Sequence, residues 1–186
     1  YDISYSDTIE TITPLIGNLY ISVGSLSKYQ AIEGWTKFGS IQEGYPKETE
    51  VDGLKYFYLE GGNVAYASGR ANDELKNITI PSTITVGNTT YNVKGIQESA
   101  FRSCSIDTLV ISEGVETIGD YAFQYNYSSL KSITLPNSLR SIGDRAFYYC
   151  YGFKNLVTPE GVQTIGASAF YNCNALLRLA LPSTLQ

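Results

Sequence analysis

Histidine is absent from the chain, and so is methionine. Without His, most general acid/base triads and most zinc sites lose the residue they are built around. Without Met, the sequence reads as a processed or excised fragment rather than a complete translation product, and no signal peptide is visible. Basic runs are missing too. The 13 Lys and Arg against 18 Asp and Glu leave a net charge of −5, with no basic face to hold a phosphate backbone. A nucleic-acid partner is therefore disfavoured. No apolar stretch approaches the roughly 18–20 residues that a membrane-spanning helix requires. Cysteines number three, an odd count that argues against a fully paired disulfide framework, and no C-x-x-C pair occurs. Gly61-Gly62 reads as a turn rather than a phosphate cradle, because no G-x-G-x-x-G follows a strand pattern.

Against these absences stand 43% hydrophobic and 17% charged residues, a balance that excludes a disordered chain. The 16 tyrosines suit strands and half-wet surfaces, where a ring is buried while its hydroxyl stays hydrated.

The dominant feature is an internal repeat. The pair Ala-Phe recurs at Ala100-Phe101, Ala122-Phe123, Ala146-Phe147 and Ala169-Phe170. Four residues before each Ala sits Ile96, Ile118, Ile142 or Ile165. After each Phe comes a second apolar set: Ile106, Leu109 and Ile111; Leu130, Ile133 and Leu135; Phe153, Leu156 and Thr158; Leu176, Leu179 and Leu181. A further apolar residue closes each unit at Val115, Leu139, Val162 or Leu185, and an earlier half-unit runs through Leu75, Ile78, Ile80 and Ile84. The segment L-x-x-I-x-L ends in period-two alternation, the mark of a short strand buried on one face. The segment I-G-x-x-A-F, with capping candidates Asp120 and Asp144, predicts a short helical turn. Pro81, Pro136, Pro159 and Pro182 follow the strands and stop them. One such unit cannot bury enough apolar surface to offset its own ordering entropy, so neighbouring units must share a core and a strand ladder.

These residues resemble the BspA-like leucine-rich-repeat family. The motifs that carry the likeness are IGDYAFQYN…LKSITLP, IGDRAFYYC…FKNLVTP and IGASAFYNC…LLRLALP, in which the Ala-Phe pair, the Cys position and the strand-terminal Pro recur together. The resemblance covers residues 96–186 directly. It implies an α/β fold: a right-handed leucine-rich-repeat solenoid with a parallel sheet, repeats of about 23 residues and a β-hairpin cap on the N-terminal side. Residues 96–186 are expected to be four repeats, truncated at the end. Residues 49–95 are expected to form the capping region, with strand Ile78–Ile80 leading to a turn at Gly87-Asn88 and a returning strand Tyr91–Val93. Residues 53–69 suit a preceding pair of strands that shields the exposed edge. Residues 1–48 resemble the closing segment of a preceding array, a strand plus a short helix. Asn126 in place of Cys, Thr158 in place of Leu, and the missing Pro after Ile111 depart from the pattern without breaking its register.

The resemblance further implies a non-catalytic, extracellular or cell-surface module that binds host or other partner proteins, adhesion among the roles; a structural spacer presenting another domain is the alternative. No cofactor and no metal are expected, and the fragment is expected to be a monomer. Cys104, Cys150 and Cys173 each follow a motif Phe by three residues, which reads as a ladder of small buried residues; a Cys150–Cys173 bridge is left open. Glu113, Glu116, Asp120 and Asp144 could be paired for glycoside hydrolysis, but repeated positions are structural, whereas an active site breaks a repeat.

Two surfaces are candidates. If the strand Ile and Leu point inward, the alternating residues point outward. They are Asn77 and Thr79, Thr108 and Val110, Ser132 and Thr134, Asn155 and Val157, and Arg178 and Ala180. The row suits a broad, flat protein contact and suits a surface with no ligand equally. Tyr125, Tyr127, Tyr148, Tyr149, Tyr151 and Tyr171 cluster just after the motif Phe in successive units. They read as an aromatic strip for protein or glycan binding, or as packing between loops, with the greater weight on packing.

Overall fold

The computed structural model describes residues 18–21, 40–43 and 45–185. Strand β1 (Asn18–Ile21) pairs in parallel with β2 (Ser40–Glu43). The short helix expected with them in the first 48 residues lies outside the described residues. An antiparallel meander follows: β3 (Tyr45–Val51), β4 (Leu54–Glu60) and β5 (Val64–Arg70). The β3–β4 turn is Asp52-Gly53, with φ of 51° and 76°. Positive φ at both central residues is what a two-residue turn needs to match strand twist, and Asp-Gly tolerates it.

The repeats then begin. Strand β6 (Asn77–Ile80) is followed by a hairpin of β7 (Thr83–Val86) and β8 (Thr89–Ile96), turning at Gly87-Asn88. Thr83–Val86, rather than Ile78–Ile80, is thus the hairpin partner of the returning strand. Ile78 belongs elsewhere, because its neighbours with the same inward pattern are the strands of later coils. Those strands are β9 (Thr108–Ile111), β10 (Thr117–Ile118), β11 (Ser132–Thr134), β12 (Ser141–Ile142), β13 (Asn155–Val157), β14 (Thr164–Ile165) and β15 (Arg178–Ala180).

Two parallel ladders result. One runs β8-β10-β12-β14 and continues through β5 into the antiparallel cap. The cap thereby covers the edge that β8 would otherwise expose. The second runs β6-β9-β11, then β13-β15. It is interrupted between β11 and β13, at the unit where Phe153 fills the place of Ile106, Leu130 and Leu176. The core lies between the ladders. Phe101, Phe123 and Phe147 are fully buried in it. With Phe170 they form one column, with centroid spacings of 5.4, 5.2 and 5.6 Å and rings parallel within 7°.

No helix forms among the described residues. The I-G-x-x-A-F segment, expected as a short helical turn, is a run of tight turns instead. Every coil has left-handed backbone two positions before the Phe (Ser99, Tyr121, Arg145, Ser168) and two positions after it (Ser103, Tyr125, Tyr149, Asn172), and the first two coils add Ser105 and Tyr127. A left-handed residue every four positions cannot belong to a right-handed helix. Alternate N–H groups close turns three residues back within the coil, as Ala122 to Gly119 and Gln124 to Tyr121, and those between them bond to the next coil. Phe101 N–H donates to the Ala122 carbonyl, Phe123 to Ala146 and Phe147 to Ala169, each at 2.8 Å.

The departures from the repeat are accommodated locally. Thr158, in a Leu position, is buried at 3% exposure and donates its hydroxyl to the Ala180 carbonyl at 2.6 Å. A buried hydroxyl with a partner avoids most of its desolvation cost.

Candidate functional site

A ladder of small residues along the coils holds the thiols of Cys150 and Cys173. Cys150 Sγ donates to the Phe123 carbonyl at 3.0 Å and Cys173 Sγ to the Phe147 carbonyl at 3.2 Å. Asn126 takes the same place one coil earlier, donating Nδ2 to the carbonyls of Phe101 and Phe123. All three Cys are free, and burial pushes the Cys150 thiol up to about 12 and the Cys173 thiol to about 11. Such thiols are poor nucleophiles and poor metal ligands. Among the described residues no three His, Cys, Asp or Glu side chains come together as a metal set.

The acidic residues are staples between coils. Asp120 Oδ1 accepts from Asp144 N–H at 2.7 Å, and Asp144 Oδ1 from Ala167 N–H at 2.6 Å. Glu113 accepts from the N–H groups of Asn137 and Ser138, and Glu160 from Ser183. Hydrogen bonds to the carboxylate hold Glu113 and Glu160 below the ordinary range. Asp120 and Asp144 therefore do cap, but across coils rather than at a helix.

The sheet-face row alternates as period two requires through β13 and loses the alternation at β15, where Leu179 is exposed. Leu109 and Leu156 are buried, while Ser132, Thr134, Asn155 and Arg178 are exposed. Val110 and Val157 are 40% and 67% exposed. Thr108 and Ala180 are half-buried, and Thr108 donates its hydroxyl to Asn77 at 2.7 Å. The row carries no carboxylate; its charge is that of Arg178.

All six tyrosines of the second surface meet in one network. Tyr148 stacks on Tyr171 with centroids 5.0 Å apart and planes within 15°; Tyr125 stacks on Tyr127 at 5.7 Å. Tyr125 also reaches Tyr148 and Tyr149, and Tyr127 reaches Tyr151 at 5.9 Å. Tyr127 and Tyr171 are 46% and 55% exposed. Desolvation within the stack holds the Tyr148 hydroxyl above its usual range. Three members were not singled out from the sequence. Arg102 lies over Tyr125 at 5.5 Å, and Arg145 lies 5.7 Å from Tyr121 and 5.9 Å from Tyr148. Their register, one residue after and two before a motif Phe, was the available signal.

Where the second ladder is interrupted, a cleft of about 460 Å³ opens, lined by Lys131, Ser132, Ile133, Gly152, Lys154 and Asn155. It adjoins the tyrosine network through Gly152, next to Tyr151. On the opposite ladder, a groove of about 690 Å³ runs between the Tyr66 wall and Glu98, Glu116 and Asp120. Lys94 pairs with Glu116 there at 2.6 Å.

Residues 67–186 match the family model of the BspA type leucine rich repeat region, in six copies. A leucine-rich repeat protein from Bacteroides ovatus is similar at 29% identity and a TM-score of 0.53, over 74% of this chain and 42% of that one. The chain thus spans less than half the length of that relative. A leucine-rich repeat protein from Bacteroides capillosus superposes with a TM-score of 0.65 at 24% identity, over 75% of this chain and 98% of that one. The leucine-rich repeat protein of T. pallidum gives 0.55 at 21%, over 74% and 84%. These last two show the shared fold. No curated protein matches the chain.

Proposed function

We propose, on the premise that this chain belongs to the BspA-type leucine-rich-repeat family, that it is a non-catalytic protein-interaction module displayed outside the cell. The observation that carries this reading is the sheet-face row. Thr108, Val110, Ser132 and Thr134 stand on the paired strands β9 and β11, and Asn155, Val157, Arg178 and Ala180 on the paired strands β13 and β15. Two valines in it are exposed among small uncharged neighbours. A preformed surface of this kind has little ordering entropy to lose on binding. Affinity would come from many modest contacts over a face rather than from one deep pocket. Repeat folds of this family are generally interaction modules rather than enzymes, and the acidic residues already serve as staples. Adhesion to a host or matrix protein is the form of binding the family resemblance implies.

The test uses the chain immobilised against an extracellular-matrix extract. Retained proteins are identified and rebound in purified form to the wild type and to the double variant Thr134→Lys, Val157→Lys. A partner weakened about tenfold or more by that variant, at unchanged melting temperature, is the expected result. Equal binding by the variant would remove the row from the interface.

The unbroken phenylalanine column favours a second reading, a rigid spacer presenting another domain. For a spacer, no purified partner would distinguish wild type from variants of either surface. Protease shaving of intact cells producing the full-length protein would test the external location common to both.

A further inference from the structure

The tyrosine network and the adjoining cleft share one electrostatic sign. The stretches 99–106, 121–130, 145–153 and 168–177, which carry the network, contain Arg102 and Arg145 and no Asp or Glu. The cleft beside them adds Lys131 and Lys154 and again no carboxylate. This is a local reversal in a chain of net charge −5. Of the acids that flank these stretches, Asp120 and Asp144 each turn an oxygen onto a backbone N–H of the next coil, and Asp107, exposed one coil before Lys131, accepts the Lys131 N–H on its backbone carbonyl.

The rings add to that sign. In the Tyr148–Tyr171 and Tyr125–Tyr127 pairs one face of each ring is turned onto its partner, which leaves edges, hydroxyls and outer faces for a ligand. An aromatic edge is the positive end of the ring quadrupole, and a phenol hydroxyl donates. Arg145 donates one hydrogen bond to the Tyr121 hydroxyl at 3.1 Å, leaving most of its five N–H donors free. Cation, edge and hydroxyl all select for an anionic, acceptor-rich ligand. A glycan that relied on stacking would find one face of each paired ring already covered, whereas an acidic ligand can use the cations as well.

The interruption of the strand ladder is an independent observation in the same place. In the other coils the residue before the strand donates its N–H to the coil below: Asp107 to Lys76, Lys131 to Asp107, and Leu177 to Lys154. Lys154 has no such bond among the described residues, and β11 and β13 do not pair. The gap thus leaves the Lys154 N–H, and the Lys131 carbonyl it would meet by the pattern of the other coils, without backbone partners among the described residues, beside the two lysines. An extended chain with carbonyls and carboxylates matches both.

We propose that this surface binds an acidic, extended polypeptide segment of a partner protein, running along Tyr125, Tyr148 and Tyr171 with its carboxylates on Arg145, Lys131 and Lys154. The proposal rests on the protein-interaction reading above and assigns to it a partner chemistry and a contact surface that meets the sheet-face row at Ser132 and Asn155. Tyr and Arg are the side chains most often found as interface anchors, which fits the composition of this site.

The probe is a fluorescein-labelled poly-glutamate peptide of about twelve residues. Its extended reach of roughly 40 Å exceeds the width of the coils involved, about 4.8 Å each. It is titrated into the chain at low salt, beside poly-lysine, a Gly-Ser peptide and a hyaluronan oligosaccharide of similar length. Poly-glutamate alone should bind, more weakly as salt rises. The variant Arg145→Glu, Lys154→Glu should lose at least about tenfold in affinity. The milder Lys131→Gln, Lys154→Gln, at two exposed positions of which Lys131 gives up one bond to the Ser128 carbonyl, should lose affinity in the same direction and guards against a folding defect in the first. Thr134→Lys, Val157→Lys on the sheet face should not weaken the peptide. Absence of poly-glutamate binding, equal binding by the charge variants, or binding of the oligosaccharide without the peptide would overturn the proposal. A protein partner sensitive only to the sheet-face variant would, with a silent poly-glutamate titration, sink this inference while leaving the broader reading intact.

Discussion

The thiol of Cys150 donates to the carbonyl oxygen of Phe123, one coil earlier, at 3.0 Å. The next Cys repeats the bond and Asn126 precedes it, so from Asn126 onward this position ties each coil to the one before, whereas half-buried Cys104 donates to the Arg102 carbonyl of its own coil. Asn126 does more than either thiol. Its Nδ2 reaches the carbonyls of Phe101 and Phe123, each at 2.8 Å, and its Oδ1 accepts the Ile106 N–H at 3.1 Å. Asn126→Ala would strand several buried backbone groups and should cost about 2–3 kcal/mol. Cys150→Ala, which gives up one weak donor, should cost closer to about 1 kcal/mol. Urea unfolding of both variants checks the order.

Thiol reactivity should follow burial. Cys104 is half-buried, whereas Cys150 and Cys173 are buried with thiols pushed up to about 12 and about 11. Near pH 8, an aromatic disulfide reagent should label Cys104 first and Cys150 last. Unfolding in urea should bring all three to one rate.

Gly143 sits where the preceding coil passes too closely for a side chain. A Cβ there would lie 2.4 Å from Asp120 Oδ1 and 2.6 Å from the Asp120 backbone nitrogen. Gly143→Ala must push two coils apart and should destabilise by about 1–3 kcal/mol, read as a lower melting temperature.

Glu113 gives a pH signature. Its carboxylate accepts N–H groups of Asn137 and Ser138, which hold its pKa below the ordinary 4.5. A depressed folded-state pKa adds stability above the unfolded value, and that stability disappears as pH falls through the folded value. Wild type should therefore melt above Glu113→Gln at neutral pH, and the gap should close once pH drops well below 4.5. A gap that persists in acid would mean that the staple does not depend on charge.

Ser103 occupies one of the left-handed positions, at φ 56°, and is exposed. A non-glycine residue in that region bears a steric cost of about 1–2 kcal/mol, partly offset by the greater unfolded-chain entropy of glycine. Ser103→Gly should therefore raise stability by roughly 0.5 kcal/mol, measurable as a small rise in the urea midpoint.

What was legible in the sequence depended on register. Once coils of about 23 residues stack, residues at equal positions share one environment. The recurrence of Ala-Phe, of the strand-terminal apolar pairs and of Cys or Asn therefore named the core columns. The column of Phe101, Phe123, Phe147 and Phe170 is that pattern in space. The alternation Leu109/Val110 and Leu156/Val157 likewise sorted the sheet-face residues into inward and outward sets.

The helical turn was misread for a physical reason. Spacing by four suits one helical face, but it suits two tight turns with left-handed residues at Tyr121 and Tyr125 as well. Local pattern does not separate them. The choice falls to the Phe123–Ala146 bond and its counterparts, which exist only when the next coil is in place. The companion arginines, Arg102 and Arg145, lay in register yet carried no mark that they would lie over tyrosines of their own and neighbouring coils.

By itself, then, the amino-acid order determined the period, the identity of the buried columns and the absence of His-based chemistry, because each follows from which residue types recur and where. Tertiary structure alone decided the turn conformations, the tyrosine–arginine network and the break between β11 and β13. Those depend on how one coil's backbone and side chains meet the next, across more than twenty residues of sequence.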